Sequence, residues 1–533
     1  MMNSKRWMNK IQSKQILKDS IWKKINNFCT NKTIADIIHV VNWVTDNWNI
    51  DITLDIDIIN GYLKDWSNIE GHAIGLCRPK DNIESAIIIT VLYNLKVPYT
   101  ISAGRTNLTG SATPMEGFVI SIENLKGLKP TVKDNQVTTS PGIYLEDMRL
   151  EVLAQTNNKL YYPVDPTSRK EAMIGGTVSC NASGFVPGEQ GATRYWVQGL
   201  EIILPNGKSV KCQRGDYISK DSTFELDGLI IDLPTYERPN IKNASGPYTC
   251  GNGEIDFIDL IVGSEGMFGI ITECTFRLKP RPKNHLDLLI ILPSEDEAMQ
   301  FYYYLNKTLQ IDKVTALEYF GYNCQSYMIN REYFFKDKSE VGIYLQVPLY
   351  EQSFEQACKD WLDIASKSEC DISDEKIYVL NDQKSWNLFF EARHSMPELA
   401  LKRTKELNGI SIITDTIVPP ENFSQFLEKT HSLIKGANIE YLLFGHLGDC
   451  HLHFHLIPNG KQEQEAISIY DSIIDISSNL KGVYSAEHGT GKRKKMDFVK
   501  CYGEDAVNQV RYSKLCFDPN MLVNRGNVID YKS

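Results

Sequence analysis

The spacing of apolar residues changes along the chain. In the first stretch Ile34, Ile37, Ile38, Val41 and Val44 recur at helical spacing and share one face. This predicts a largely helical N-terminal segment over residues 1–70. From Pro79 to Pro280 short β-branched runs alternate with clusters of Gly, Asn, Ser and Thr. The runs are Val97–Ser102, Phe118–Ile122, Leu200–Leu204, Leu229–Leu233 and Ile270–Leu278, and they predict an α+β domain with many strands over 71–281. Within it residues 213–258, carrying Pro234, Pro239 and Pro247, read as a surface excursion. Beyond 284, Asp287–Leu292 and Val341–Gln346 read as strands, and Glu295–Leu309, Phe354–Ser366 and Glu421–Lys435 as helices. These predict a second domain of mixed sheet and helices over 282–480. A Gly- and Lys-punctuated segment follows over 481–533.

Composition narrows the class. With 533 residues the chain is too long for one core, and 42% hydrophobic with 23% charged residues is ordinary for a soluble globular protein. A net charge of -10 argues against nucleic acid as a partner, since phosphates need a basic footprint. An anionic substrate then needs a local cationic pocket. The 12 cysteines form no CxxC pair and read as reduced thiols of a cytoplasmic protein. No apolar run reaches the roughly 20 residues of a transmembrane helix. The N-terminus carries Lys5, Arg6, Lys10, Lys14, Lys18, Lys23 and Lys24 against Asp19 alone. The preferred reading is a solvated basic helix; the alternative is a mitochondrial targeting segment, although those are Arg- and Ser-rich.

Three small-residue clusters carry candidate chemistry. Ser102 to Gly110 follows the strand Val97–Ile101. Ile174-Gly-Gly-Thr177 precedes Asn181-Ala-Ser-Gly184. Gly263-Ser-Glu-Gly-Met-Phe-Gly-Ile270 leads into a strand. Glycine lets backbone amides approach an anion and adopt positive φ, and successive N–H groups form a nest for phosphate oxygens. Three such loops in one domain suit a long phosphate-containing cofactor. Neither GxxxxGK[ST] nor a strand–helix GxGxxG is present.

Of the 10 histidines, His446, His451, His453, His455 and His488 fall close together. His451, His453 and His455 alternate with Leu452, Phe454 and Leu456, so a strand puts three imidazoles on one face. His446 is expected on the preceding Gly-flanked turn, and Glu487 with His488 in the loop Ser485–Gly491. Imidazoles with a carboxylate suit zinc or a similar divalent ion, and a remaining histidine suits a general base.

In this order the motifs resemble the FAD-linked oxidoreductases of the vanillyl-alcohol-oxidase superfamily, in the branch of D-lactate dehydrogenase, the glycolate oxidase flavin subunit and D-2-hydroxyglutarate dehydrogenase. The residues that carry the resemblance are Gly104–Gly110, Tyr162–Ser168, Ile174–Gly176, Asn181–Gly184, Asp259–Gly266, Asp415–Pro419, Gly445-His446, His453, Glu487–Gly489, Asp518-Pro519 and Asn524–Gly526. The resemblance implies a two-part FAD-binding domain of the PCMH type, a mixed-sheet cap or substrate domain, and a C-terminal segment returning to the FAD domain. It implies FAD bound by Ser102, Gly104, Arg105, Thr106, Asn107, Leu108, Thr109, Pro163, Asp165, Gly175, Gly176, Asn181, Ser183, Gly184, Gly263, Glu265, Gly266, Gly269, Ile271 and Asn524. His446, His453 and Glu487 match metal ligands. His488 matches the catalytic base, and Arg393 the arginine that grips a substrate carboxylate, for which its fork is suited. The chain departs from the pattern at His455 and His451, where Asn is common, at Arg525, where Pro stands, and at Ile413, where the hydroxyglutarate branch has Lys.

The implied reaction is oxidation of a small D-2-hydroxy acid, D-lactate or glycolate-like, to the 2-oxo acid. Two other readings are a non-redox flavoenzyme of the alkyl-dihydroxyacetone-phosphate synthase type and an electron-relay subunit. The partners expected besides the anionic substrate are a separate electron acceptor and either a second copy of the chain or a membrane surface bound peripherally.

Overall fold

The computed structural model describes residues 8–309 and 313–531; Lys5 and Arg6 of the basic N-terminus lie outside them. The predicted basic helix is corrected. Lys10 and Lys14 lie on two short strands, Lys10–Ile11 and Lys14–Gln15, and the helix begins only at Asp19. The strands win because each completes a sheet. The first runs parallel to Thr223–Leu226, with Ile11 buried and Lys10 paired to Glu225 at 2.9 Å. The second pairs with Lys208–Gln213.

A four-stranded sheet, in the order Ile52–Thr53, Gly75–Cys77, Phe118–Ser121, Tyr99–Ser102, holds the first glycine loop. The last three strands are parallel. The crossover is the helix Asn82–Leu95, started by Asp81, whose carboxylate accepts the Glu84 amide at 2.8 Å. It is apolar nearly all round, and it is buried accordingly against residues of Asp19–Cys29 and Ile37–Trp48 as well as the sheet. The N-terminal helices thus share a core with this sheet, and Leu522 and Val523 join the same core.

A six-stranded antiparallel sheet follows, in the order Lys14–Gln15, Lys208–Gln213, Val197–Ile203, Ile270–Arg277, Gln136–Thr139, Thr131–Lys133. The segment predicted as a surface excursion is not one. After the hairpin Thr223–Leu226/Leu229–Asp232, residues Tyr236, Ala244, Ser245 and Thr249 are buried. The proline-rich stretch lies against the loop Ser485–Gly491: Ala244 N donates to Ser485 O at 3.0 Å, and Gly246 N to Thr490 Oγ1 at 3.1 Å.

The third layer is a seven-stranded antiparallel sheet in the order Ile377–Val379, Asn284–Leu292, Val341–Leu349, Ala316–Phe320, Glu440–His446, His451–Ile457, Ile412–Ile413. The helices Glu295–Leu309, Phe354–Lys367, Phe423–Gly436 and Glu463–Asn479 supply apolar residues to one face. The helix Gln383–Glu406 packs on the other. The predicted helix Glu421–Lys435 starts at Phe423, because Pro419 and Pro420 open a 3-10 turn before it. His446 ends its strand instead of sitting on the turn. Among the described residues no helix is long and apolar enough to cross a membrane, and all twelve cysteines are unpaired.

Candidate active site

A cleft of about 240 Å³ is lined by the three glycine loops and, with them, by Phe185, His446, Glu487 and His488. Most of the anticipated cofactor residues line it: Gly104, Arg105, Thr106, Asn107, Leu108, Asp165, Gly175, Gly176, Ser183, Gly184, Glu265, Gly266, Gly269, Ile271 and Asn524. Ser102, Thr109, Pro163, Asn181 and Gly263 do not line it. Thr109 is turned to Asn107 Oδ1, which accepts both its N–H and its hydroxyl at 2.9 Å. Asn181 Oδ1 accepts the Arg194 amide at 2.8 Å. Trp66, Ser111 and Cys180 also line the cleft and had no signal in the sequence. Trp66 arrives because its amide donates to Arg105 O at 3.1 Å, across a chain separation no local motif spans.

The loops fit an anionic cofactor. Among the described residues, the backbone N–H groups of Gly104 to Leu108 have no protein acceptor, as a phosphate nest requires. Arg105 holds φ at 56°, and its guanidinium stacks 4.5 Å over the Tyr62 ring. Two glycines are obligatory. A Cβ on Gly104 would stand 2.2 Å from Glu171 O, and Gly266, at φ 72°, would place one 2.5 Å from Asn524 Nδ2. Asn524 ties the walls together, accepting from Ile101 N at 2.7 Å and donating to Glu265 O at 2.8 Å. The Glu265 carboxylate accepts the amides of Thr490 and Gly491 at 2.7 and 2.8 Å, and the Ser111 hydroxyl.

The histidines are set by strand register. Glu318, His446 and His451 are successive cross-strand partners, and His453 faces Phe444 two residues along. His446 Nδ1 lies 2.6 Å from Glu318 Oε1, and His453 Nδ1 bonds the Thr414 carbonyl at 2.8 Å. Both Nε2 atoms are left toward Glu487, at 3.5 and 3.6 Å from its oxygens. Partners behind the ligand fix ring orientation in metal sites. One ligand atom each of His446, His451, His453 and Glu487 falls within 4.8 Å of all the others. The residues therefore fit a divalent cation. His455 shares the face but pairs with Ser411 Oγ at 2.7 Å, outside this group.

Asp415 was legible only as part of a motif, yet it organises the site. It is fully buried. It accepts from Ser485 Oγ at 2.6 Å, from Lys494 Nζ at 2.9 Å and from the amides of Glu487 and His488 at 3.3 and 3.1 Å. Burial alone would raise its carboxyl, but His488 and Lys494 hold it well below the ordinary range. Burial opposes a charged His446 too, but Glu318 and Glu487 lift that imidazole to about 10. Burial pushes His488 down, against the pull of Asp415. A neutral imidazole at the cleft wall can accept a proton.

Two cations flank the group. The Lys242 side chain, 2% exposed, reaches from the proline-rich stretch to Asp449 Oδ2 at 3.3 Å and Glu487 Oε2 at 3.7 Å. Asp449 Oδ1 in turn accepts the Gly188 amide at 2.7 Å. Arg393 does not line the cleft. It stacks 5.0 Å over Phe185, which does, and stands 3.6 Å from Glu318.

Residues 73–213 match the family described as the FAD binding domain, and residues 310–528 the C-terminal domain of FAD linked oxidases. The chain belongs to the FAD-linked oxidases, whose FAD-binding and C-terminal domains together match more than half of it. This flavoenzyme is 26% identical to a D-lactate dehydrogenase of Anaerostipes hadrus over 488 residues, 87% of this chain and 92% of that protein. It is 26% identical to a D-2-hydroxyglutarate dehydrogenase of Xanthomonas citri pv. viticola, over 80% of this chain and 83% of that one. Glycolate oxidase subunit GlcD of Bacillus subtilis is 25% identical, over 84% and 87% respectively. The fold of the present chain is similar to p-cresol methylhydroxylase with substrate bound, at a TM-score of 0.67 and 13% identity, covering 98% of this chain and 99% of that one. Alkyldihydroxyacetonephosphate synthase matches at 0.62 and 13%, covering 89% and 81%.

Proposed function

We propose that the flavoenzyme oxidises a small D-2-hydroxy acid, of the D-lactate or glycolate kind, to its 2-oxo acid. The observation that carries this reading is the meeting of His488, His446 and Glu487 on the wall of the cleft that the glycine loops line. The similarity to a D-lactate dehydrogenase, a D-2-hydroxyglutarate dehydrogenase and a glycolate oxidase subunit supports the substrate class. When bound, FAD supplies the hydride acceptor, and a divalent cation, zinc by the donor set, held by His446, His453 and Glu487 supplies a Lewis acid.

The protein's own groups do the rest. His488 takes the hydroxyl proton, its ring held from behind by Asp415. Arg393 receives the substrate carboxylate beside Phe185, its attraction to Glu318 long enough at 3.6 Å to be exchanged for a better partner. The Glu265 and Asn524 ties hold the loops to one another around the cleft.

The test is an anaerobic visible spectrum of the purified chain, titrated with D-lactate, glycolate, D-2-hydroxyglutarate and the L-isomers. Bleaching of the flavin band by one D-acid is the expected result. A flavin band that no 2-hydroxy acid bleaches would defeat the proposal in favour of a non-redox or relay flavoprotein. His488→Ala should abolish bleaching while FAD stays bound.

A further inference from the structure

One histidine of the cluster has no role in that reaction. His451 is fully buried, and neither ring nitrogen has a hydrogen-bond partner. Its Nε2 comes within 3.1 Å of Asp415 Oδ1, but without hydrogen-bond alignment. Asp415 does not need it, since four other donors already fill that carboxylate. An imidazole left unsatisfied in a dry interior is costly unless something else meets it.

The strand geometry says what meets it. His451 faces His446 directly across the antiparallel pair and precedes His453 by two on its own strand. Its ring centroid is 5.5 Å from that of His446 and 4.6 Å from that of His453. One of its nitrogens belongs to the set lying within 4.8 Å of one another with His446, His453 and Glu487.

We propose that His451 is a fourth protein ligand of the cation site, which thereby offers three imidazoles and one carboxylate and would take the substrate hydroxyl as a fifth ligand. The inference rests on the cation site of the preceding section. It also gives that site a preference. A nitrogen-rich set selects zinc or cobalt over magnesium or calcium, whose coordination is built from oxygens.

The experiment uses the full chain with FAD bound, stripped with a chelator and reloaded with zinc. X-ray absorption at the zinc edge is expected to count three imidazoles per zinc; a count of two overturns the proposal without any variant. His451→Asn is expected to weaken zinc binding at least tenfold while flavin absorbance stays unchanged, a loss that changing even a partner behind a ligand can reach. Unchanged zinc affinity in that variant overturns the proposal. His453→Ala separates the two readings. If it loses zinc while His451→Asn keeps it, the three-ligand site stands and His451 falls. If the wild-type chain takes up no zinc, both fall. Magnesium competing equally with zinc also counts against the nitrogen-rich set.

Discussion

Asp415 Oδ2 lies 3.5 Å from His488 Nδ1, and the same oxygen receives the Lys494 ammonium at 2.9 Å. One buried carboxylate thus holds both the proposed base and a lysine that balances its charge. Asp415→Asn keeps the shape and removes the charge. The expected result is a fall in kcat of roughly 10²- to 10⁴-fold, the range spanned by proton-transfer groups and the carboxylates that orient them, with FAD content unchanged. Steady-state kinetics on whichever acid bleaches the flavin would decide it; a kcat within about twofold of wild type would mean that Asp415 does not act on His488.

Lys242 and Asp449 form a pair whose side chains are only 2% and 5% exposed, joining the proline-rich stretch to the turn between the two histidine strands. Removing one member strands the other charge, at about 3 kcal/mol or more. Lys242→Met should lower unfolding free energy by that order in denaturant titration, and a double variant with Asp449→Leu should recover part of it. Losses of the two single variants that simply add in the double variant would show that the two charges do not interact.

Asn524 joins the strand before the first glycine loop to Glu265 in the third. Asn524→Ala deletes both ties at the cleft wall, each worth about 1 kcal/mol. FAD should dissociate at least several-fold faster, as measured by flavin fluorescence recovered on dilution. Retention equal to wild type would show that the loops hold their shape unaided.

Lys492 donates to Gly110 O at 3.1 Å and Asn527 Oδ1 at 2.5 Å. Burial pushes its ammonium from the ordinary 10.5 down to about 7, against the pull of Glu265 and Asp65. Between those values the unfolded chain binds more protons than the folded one, so this group makes stability rise with pH from about 7 toward 10.5. Below about 7 both states are protonated and its unfavourable burial is felt in full. The Tm difference between wild type and Lys492→Met should therefore shift in favour of wild type from pH 7 to 9.5. A difference independent of pH would mean that Lys492 keeps an ordinary titration.

Much of this was legible because it is local. The alternation from His451 to Leu456 fixes a strand with its imidazoles on one face, and the glycine runs fix loops, whatever surrounds them. The prolines of residues 234–247 misled, because proline reports the absence of regular structure and not exposure; what buries that stretch is the distant loop Ser485–Gly491. The strands at Lys10 and Lys14 were hidden for the same reason, their partners lying some 200 residues away in sequence. Lys242, Trp66 and the centrality of Asp415 are likewise products of tertiary meeting. No spacing in the sequence encodes that Asp415 should sit beneath both His451 and His488.

The bond from Ile101 N to Asn524 Oδ1 spans 423 residues. On the ribosome, at roughly 5–20 residues per second, the first glycine loop would wait about 20 to 85 seconds for the residue that braces it. During that interval the nascent chain has an apolar parallel sheet without Leu522 and Val523 to finish its core. Chaperone dependence in the cell, and poor recovery when expression outpaces flavin supply, are the expected cost of building a cofactor cleft from both ends of a polypeptide.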